Sequence, residues 1–288
     1  MLRGRLPRRI SVAPMVDVTG PPFLYLLRLI SPHAHYQLYS EMIHANAFTR
    51  GKIMTHKPSL HQHIFVGDPH FKKAMTVQLG GYEEKAVSVA SRYLAKELGV
   101  SEINLNVGCP SKNVQAGSFG AVLMKTPLQV ASTCRAMEDA VDAKAEITVK
   151  CRIGVDHEES FDFVRRFVDT VASKTKVSHF IVHARRAWLK GLSPKDNLTA
   201  PPLNYPIVYQ LANEYPDLKF TINGGIDDLD SIKGHLNFVD GVMMGRKIRD
   251  DPWFLTEMDT NLFGIGESSI PSREYVLDKY LARNVLTI

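Results

Sequence analysis

Short apolar or β-branched runs alternate with stretches of helical periodicity along most of this 288-residue chain. Eight runs read as strands, over residues 10–14, 36–41, 75–79, 102–106, 146–151, 179–183, 219–223 and 241–245. Between them, over 83–98, 128–141, 161–172 and 207–214, apolar positions recur every three or four residues, the spacing that buries one face of a helix. Eight alternations predict an α/β chain folded as a parallel TIM (β/α)8 barrel. An open doubly wound sheet shares the alternation and differs only in strand order. The strand ends favour the barrel, because Pro14-Met15, Glu41, Gln78, Asn106, Lys150, His183, Asn223 and Gly245-Arg246 all fall at C-terminal ends, which a barrel gathers around one mouth.

Composition narrows the class without naming a reaction. A hydrophobic content of 44% with 23% charged residues suits one large core, and no run is apolar enough to span a bilayer. The formal charge of +5 suits a polyanionic partner as well as many ordinary enzymes. Three cysteines without a C-x-x-C pair argue against a disulfide scaffold and a structural zinc site, and point to a reducing, cytoplasmic compartment. The start carries Arg3, Arg5, Arg8 and Arg9, which leaves a remnant of an organelle-targeting segment as the alternative.

Two features suggest chemistry. Gly108 and Pro110 bracket Cys109 just beyond the run 102–106, so the chain leaves strand geometry there and can aim a thiol at a ligand; the competing reading is a packed, inert cysteine. Cys134 and Cys151 sit in core-type contexts. Asn223-Gly224-Gly225 and Gly245-Arg246 end the last two strands, where barrels hold phosphate, and glycine lets backbone N–H groups approach an anion; tight turns alone are the alternative.

The set Ala13-Pro14-Met15, Gln78-Leu79-Gly80-Gly81, Asn106-Val107-Gly108-Cys109-Pro110-Ser111, Lys150-Cys151-Arg152-Ile153-Gly154, His183-Ala184-Arg185, Asn223-Gly224-Gly225 and Gly245-Arg246 resembles the tRNA-dihydrouridine synthases, from about residue 10 to about residue 255. The segment 187–195 is similar to the A-type branch of that family, which acts on D-loop uridine, U20 or U20a. The resemblance implies FMN over the barrel mouth, NADPH as its reductant and tRNA as the substrate. It gives Lys150 and Gln78 to the pyrimidine edge of the flavin, where a cation stabilises developing negative charge, and sets Pro14 and Met15 against the ring system. His183, Asn223, Gly224, Gly225, Gly245 and Arg246 are then expected to hold the ribityl phosphate. Cys109 becomes the proton donor, since an ordinary thiol ionises near pH ~8.5 and is mostly protonated at neutral pH. Asn106 would position the uracil edge, and Arg185, Arg186, Trp188 and Lys195 would contact RNA through phosphate and stacking interactions.

The chain departs from the family pattern twice. Residues 51–74 form a longer connection with His56, His61, His63 and His70, which without fixed ligand spacing reads as a surface loop and not a metal site. After a barrel spanning 1–255, residues 256–288 hold one helical run at 273–281, read as the remnant of a C-terminal helical domain that grips tRNA. A monomer without membrane or metal is expected. Two other functions share parts of the pattern: a flavin-dependent reductase or dehydrogenase of free pyrimidines, and an inactive tRNA-binding paralogue.

Overall fold

In the computed structural model, which describes residues 9–32, 36–49, 75–111, 114 and 119–285, parallel strands close into a barrel. The strands are β1 (Arg9–Val12), β2 (Tyr36–Tyr39), β3 (Ile43–His44), β4 (Met75–Gly80), β5 (Glu102–Asn106), β6 (Glu146–Arg152), β7 (His179–His183), β8 (Lys219–Asn223) and β9 (Gly241–Met244). Their order is β2-β1-β9-β8-β7-β6-β5-β4, and β2 pairs with β4 to complete the ring. β3 is a two-residue addition beside the end of β4, outside the eight predicted runs. The long connection 51–74, with its four histidines, lies outside the described residues.

Helices cover the outside because each strand alternates. Outward residues such as Val77, Leu105, Val149, Val182, Ile222 and Val242 join one continuous core with the helices Glu84–Arg92, Pro127–Val141, Phe161–Lys174 and Tyr205–Glu214. The inside is different. Among the described residues its separate apolar cluster is Ala13, Tyr39, Ile181 and Met243, and the remaining inward positions include Ser11, Thr76, Gln78, Glu102, Asn104, Thr148, His179 and Thr221, all buried and polar. A barrel interior of this kind holds together only if its polar groups find partners.

The last helices pack on the barrel wall. Phe254–Phe263 crosses the boundary expected at 255, and with Arg273–Val285 it lies against the helix Pro21–Ile30. Asp259 is buried and accepts from the hydroxyls of Tyr36 (2.7 Å) and Ser31 (3.1 Å), while the Tyr36 hydroxyl also faces the Leu255 carbonyl at 2.9 Å. Tyr280 stacks on Tyr25, and the Arg273 guanidinium lies over Trp253. Among the described residues no helix is long and apolar enough to cross a membrane, and no cluster of His, Cys, Asp and Glu could hold a metal ion.

Tyr36→Phe leaves the buried Asp259 carboxylate short of a donor, and is expected to cost about 1–3 kcal/mol in urea denaturation. A variant as stable as the parent would show that this buried contact does not anchor the helix.

Candidate active site

One cavity of about 750 Å³ opens at the C-terminal ends of the strands. Its wall contains Pro14, Met15, Gln78, Asn106, Cys109, Lys150, His183, Asn223, Gly224, Gly225, Gly245 and Arg246, together with Arg152 and Lys195. Residues spread over more than two hundred positions of sequence therefore meet at one mouth.

The turn carrying Cys109 is pinned at every peptide. Asn106 Oδ1 accepts the N–H groups of Gly108 (3.0 Å) and Cys109 (3.1 Å), and the Val107 N–H donates to the Lys150 carbonyl. The Gly108 carbonyl accepts Arg152 Nε at 2.8 Å, and the Cys109 carbonyl accepts the Ala121 N–H at 2.9 Å. Cys109 itself is half-buried, whereas Cys134 and Cys151 are buried and their thiols are pushed up by burial, that of Cys151 to about 12. The thiol at the mouth is thus the accessible one of the three. Asn106, expected to meet substrate, spends both ends of its amide inside the protein, since its Nδ2 reaches Gln78 Oε1 (3.2 Å) and Met42 Sδ. Its visible work is to shape the acid turn.

Beside this turn the wall is cationic. Lys150 is half-buried and donates to Asn223 Oδ1 at 3.1 Å; burial, then the neighbouring Arg152, pulls its amine down to about 8. Arg152 is buried and lowered to about 10, chiefly by burial. His183 is held neutral, well below its ordinary range, by burial and by the charges of Arg152, Lys150, Arg185 and Arg246. Beside it the chain turns through Gly224 (φ +118°) and Gly225 (φ +69°), where a Cβ on Gly224 would stand 2.6 Å from the His183 ring. Only glycine lets the backbone pass there, and the passage leaves peptide groups facing the same cavity as Lys150, Arg152 and Arg246. An anion is the ligand that relieves such a field.

The expected RNA-contacting loop is more internally tied than its composition suggests. Arg185 is buried and donates inward to the carbonyls of Thr199 and Pro201, which makes it a brace and not a free phosphate ligand. Arg186 pairs with Glu159 at 3.1 Å and lies over Trp188, whose other neighbour is the edge of His157. Lys195 alone of the four reaches the cavity wall. Asn197, fully buried, staples this loop by accepting the Trp188 N–H (2.7 Å) and donating to the carbonyls of Trp188 and Ser193. Sequence reading places Arg152 only within a motif, with no role of its own, and does not single out Asn197 at all. Strand period could have found Arg152, which lies two residues beyond Lys150 on β6 and so faces the same way.

A parallel barrel with a glycine-and-cation cradle after its last two strands and a thiol fixed at the same mouth defines a barrel protein with an anion-binding site. The chain belongs to the dihydrouridine synthase family, whose model matches residues 11–285, and it is thereby a flavin-dependent oxidoreductase. The tRNA-dihydrouridine(20/20a) synthase of Shewanella oneidensis is 42% identical over 278 residues, covering 96% of this chain and 77% of that protein. Its namesake in Vibrio cholerae is 41% identical over 273 residues, or 95% and 79%, and that of Escherichia coli K12 is 43% identical over 260 residues, or 90% and 71%. Among solved structures, histamine dehydrogenase from Rhizobium sp. 4-9 superposes with a TM-score of 0.61 at 12% identity over 90% of this chain and 47% of that one. A 2-naphthoyl-CoA reductase complex gives 0.59 at 10% identity, over 87% and 49%. This chain spans about half the length of each of these two structures, and the likeness is one of fold alone.

Below pH 8 both folded and unfolded chains hold the Lys150 proton and the folded state carries the cost of the buried charge. Between about 8 and the ordinary 10.5 the folded state releases that proton while the unfolded state keeps it, so this site adds stability as pH rises. Urea denaturation across that range should show the parent gaining stability relative to Lys150→Met; a constant difference would mean that Lys150 is not depressed.

Proposed function

We propose that this chain reduces a uridine of the tRNA D-loop, at U20 or U20a, with FMN as its flavin, NADPH as the reductant of that flavin, and Cys109 as the proton donor. The observation that carries the reading is the placement of the fixed Cys109 thiol across one cavity from the cationic cradle of His183, Gly224, Gly225 and Arg246. The residues present fit the cofactor: a glycine turn with no room for a Cβ, beside Lys150, Arg152 and Arg246, suits a phosphate monoester, and of the three aspartates on the same wall Asp250 and Asp251 are already paired with Arg249 and Lys247.

A bound flavin supplies hydride to one carbon of the uracil C5=C6 double bond. The remaining chemistry belongs to the protein. His183, Arg246 and the Gly224-Gly225 backbone hold the phosphate, while Lys150 and Gln78 meet the polar edge of the ring system and Pro14 and Met15 its apolar body. Lys150 acts through its charge, which burial and Arg152 disfavour and which a nearby anion would restore. Cys109 Sγ gives its proton to the carbon next to the one that receives hydride, so the double bond gains two hydrogens and NADPH leaves as NADP+. The thiolate that remains lies in the field of Lys150 and Arg152, both of which are favoured in their charged forms by negative charge on Cys109.

The substrate base has to leave the RNA stack to reach this depth. Lys195, at the cavity wall, is the cation of the post-β7 loop placed to meet an RNA phosphate, and Arg186 with Trp188 forms the flanking stacked pair. The names of the relatives support tRNA over a free pyrimidine and positions 20 and 20a over other uridines.

Cys109→Ala is expected to keep the visible flavin bands and their bleaching by NADPH under anaerobic conditions, and to lose uridine reduction by roughly 10²–10⁴-fold in single turnover with unmodified tRNA. Reduction at the parental rate would remove Cys109 from the mechanism, and bleached bands that return with free uracil but not with tRNA would assign the site to a free-pyrimidine reductase.

A further inference from the structure

Five of the buried polar side chains inside the barrel, Asn106, Gln78, Asn104, Thr148 and Glu102, form one directed chain. Starting at the acid turn, the N–H groups of Gly108 and Cys109 donate to Asn106 Oδ1. Asn106 Nδ2 donates to Gln78 Oε1 at 3.2 Å, Gln78 Nε2 to Asn104 Oδ1 at 2.8 Å, and Asn104 Nδ2 to Thr148 Oγ1 at 2.9 Å. The Thr148 hydroxyl donates to Glu102 Oε1 at 3.0 Å, where Tyr39 also donates, and Arg9 pairs with the other carboxylate oxygen. Every link runs the same way. Each amide accepts on its oxygen from the mouth side and donates from its nitrogen toward the floor.

Strand geometry makes the chain possible. Glu102, Asn104 and Asn106 are alternate, inward residues of β5, and the register sets Asn104 level with Gln78 on β4 and with Thr148 on β6. A carboxylate at the accepting end polarises each donor above it, pushing electron density onto the amide oxygen and strengthening the next bond in line. A reversed amide anywhere in the row would set two donors or two acceptors face to face.

We infer that Glu102, through Thr148, Asn104 and Gln78, fixes the amide orientation of Asn106 and thereby the geometry of the Cys109 turn, so that Thr148 and Asn104 are positioning residues for a thiol at the opposite end of the barrel. The same row commits both ends of the Gln78 amide to the protein, its Oε1 to Asn106 and its Nε2 to Asn104. The inference concerns the turn itself; only its consequence for catalysis rests on Cys109 being the proton donor.

Thr148 is the link to cut, because Thr148→Val keeps shape and β-branching and removes the one hydroxyl that joins the amides to Glu102, whereas Thr148→Ser keeps the hydroxyl. The readout is the rate of Cys109 alkylation by iodoacetamide in flavin-free protein, followed by peptide mass spectrometry, with buried Cys134 and Cys151 as internal markers of the folded state. Thr148→Val is expected to change the Cys109 rate at least threefold while the markers stay protected, and Thr148→Ser to restore the parental rate. Should Thr148→Val fail to fold, Thr148→Ala removes the same hydroxyl and is read in the same assay. An unchanged Cys109 rate in a folded variant lacking the hydroxyl overturns the inference. If the alkylation rate shifts while single-turnover uridine reduction does not, the positioning stands and the assignment of Cys109 as acid is what fails.

Discussion

A carboxylate shut inside a barrel has to be matched by a cation and by hydrogen-bond donors, and Glu102 imposes that demand on the whole interior of this protein. Leaving such a charge unpaired costs several kcal/mol, more than most single contacts return. Arg9, from the first strand, supplies the cation, and Tyr39 on β2 and Thr148 on the neighbouring β6 supply the donors. Burial and the Glu102 charge together push the Tyr39 phenol well above its ordinary value, so it stays a donor across the working range of pH. Three strands are thereby bound to one group at the floor, and the polar column above it inherits a direction. The interior can afford to be polar because none of its amides along that column is left to choose an orientation.

The mouth follows the opposite rule. Lys150, Arg152 and His183 are all shifted against protonation, mainly by burial and then by one another, and the field on His183 contains four cations. Among the described residues the three depressed groups have no ion-pair partner of their own, which costs folding stability and creates a place for an anion, the usual signature of a functional site. Floor and mouth are built from the same alternating positions of the same strands. What separates their roles is whether the compensating charge belongs to the chain or must arrive with a ligand.

Much of this was readable from the sequence, and the reasons are local. Strand alternation and glycine placement depend on neighbours in the chain, so the eight ring strands were located to within two residues at each end, as were the helices read at 128–141, 161–172 and 207–214. The run 83–98, by contrast, is α-helical only over Glu84–Arg92, and the run 273–281 extends to Val285. The residues of the mouth were readable because a barrel brings the C-terminal ends of its strands together whatever the details. The inside of β5 was not. Glu102 and Asn104 sit between Ile103 and Leu105 in a run that reads as an ordinary buried strand, and their partners Gln78, Thr148 and Arg9 come from strands distant in sequence. Arg185 misled for the same reason: a basic residue in a polar loop looks free until the chain folds the carbonyls of Thr199 and Pro201 around it. β3 is too short to leave a periodic signal at all.

The account stands most directly on the product it assigns. Holoenzyme, NADPH and unmodified tRNA incubated without oxygen, followed by nuclease digestion and fragment mass spectrometry, should place a gain of two hydrogens on a uridine at position 20 or 20a of the D-loop, and nowhere else in the molecule. Reduction confined to other uridines, or tRNA recovered unchanged while NADPH is consumed, would contradict it.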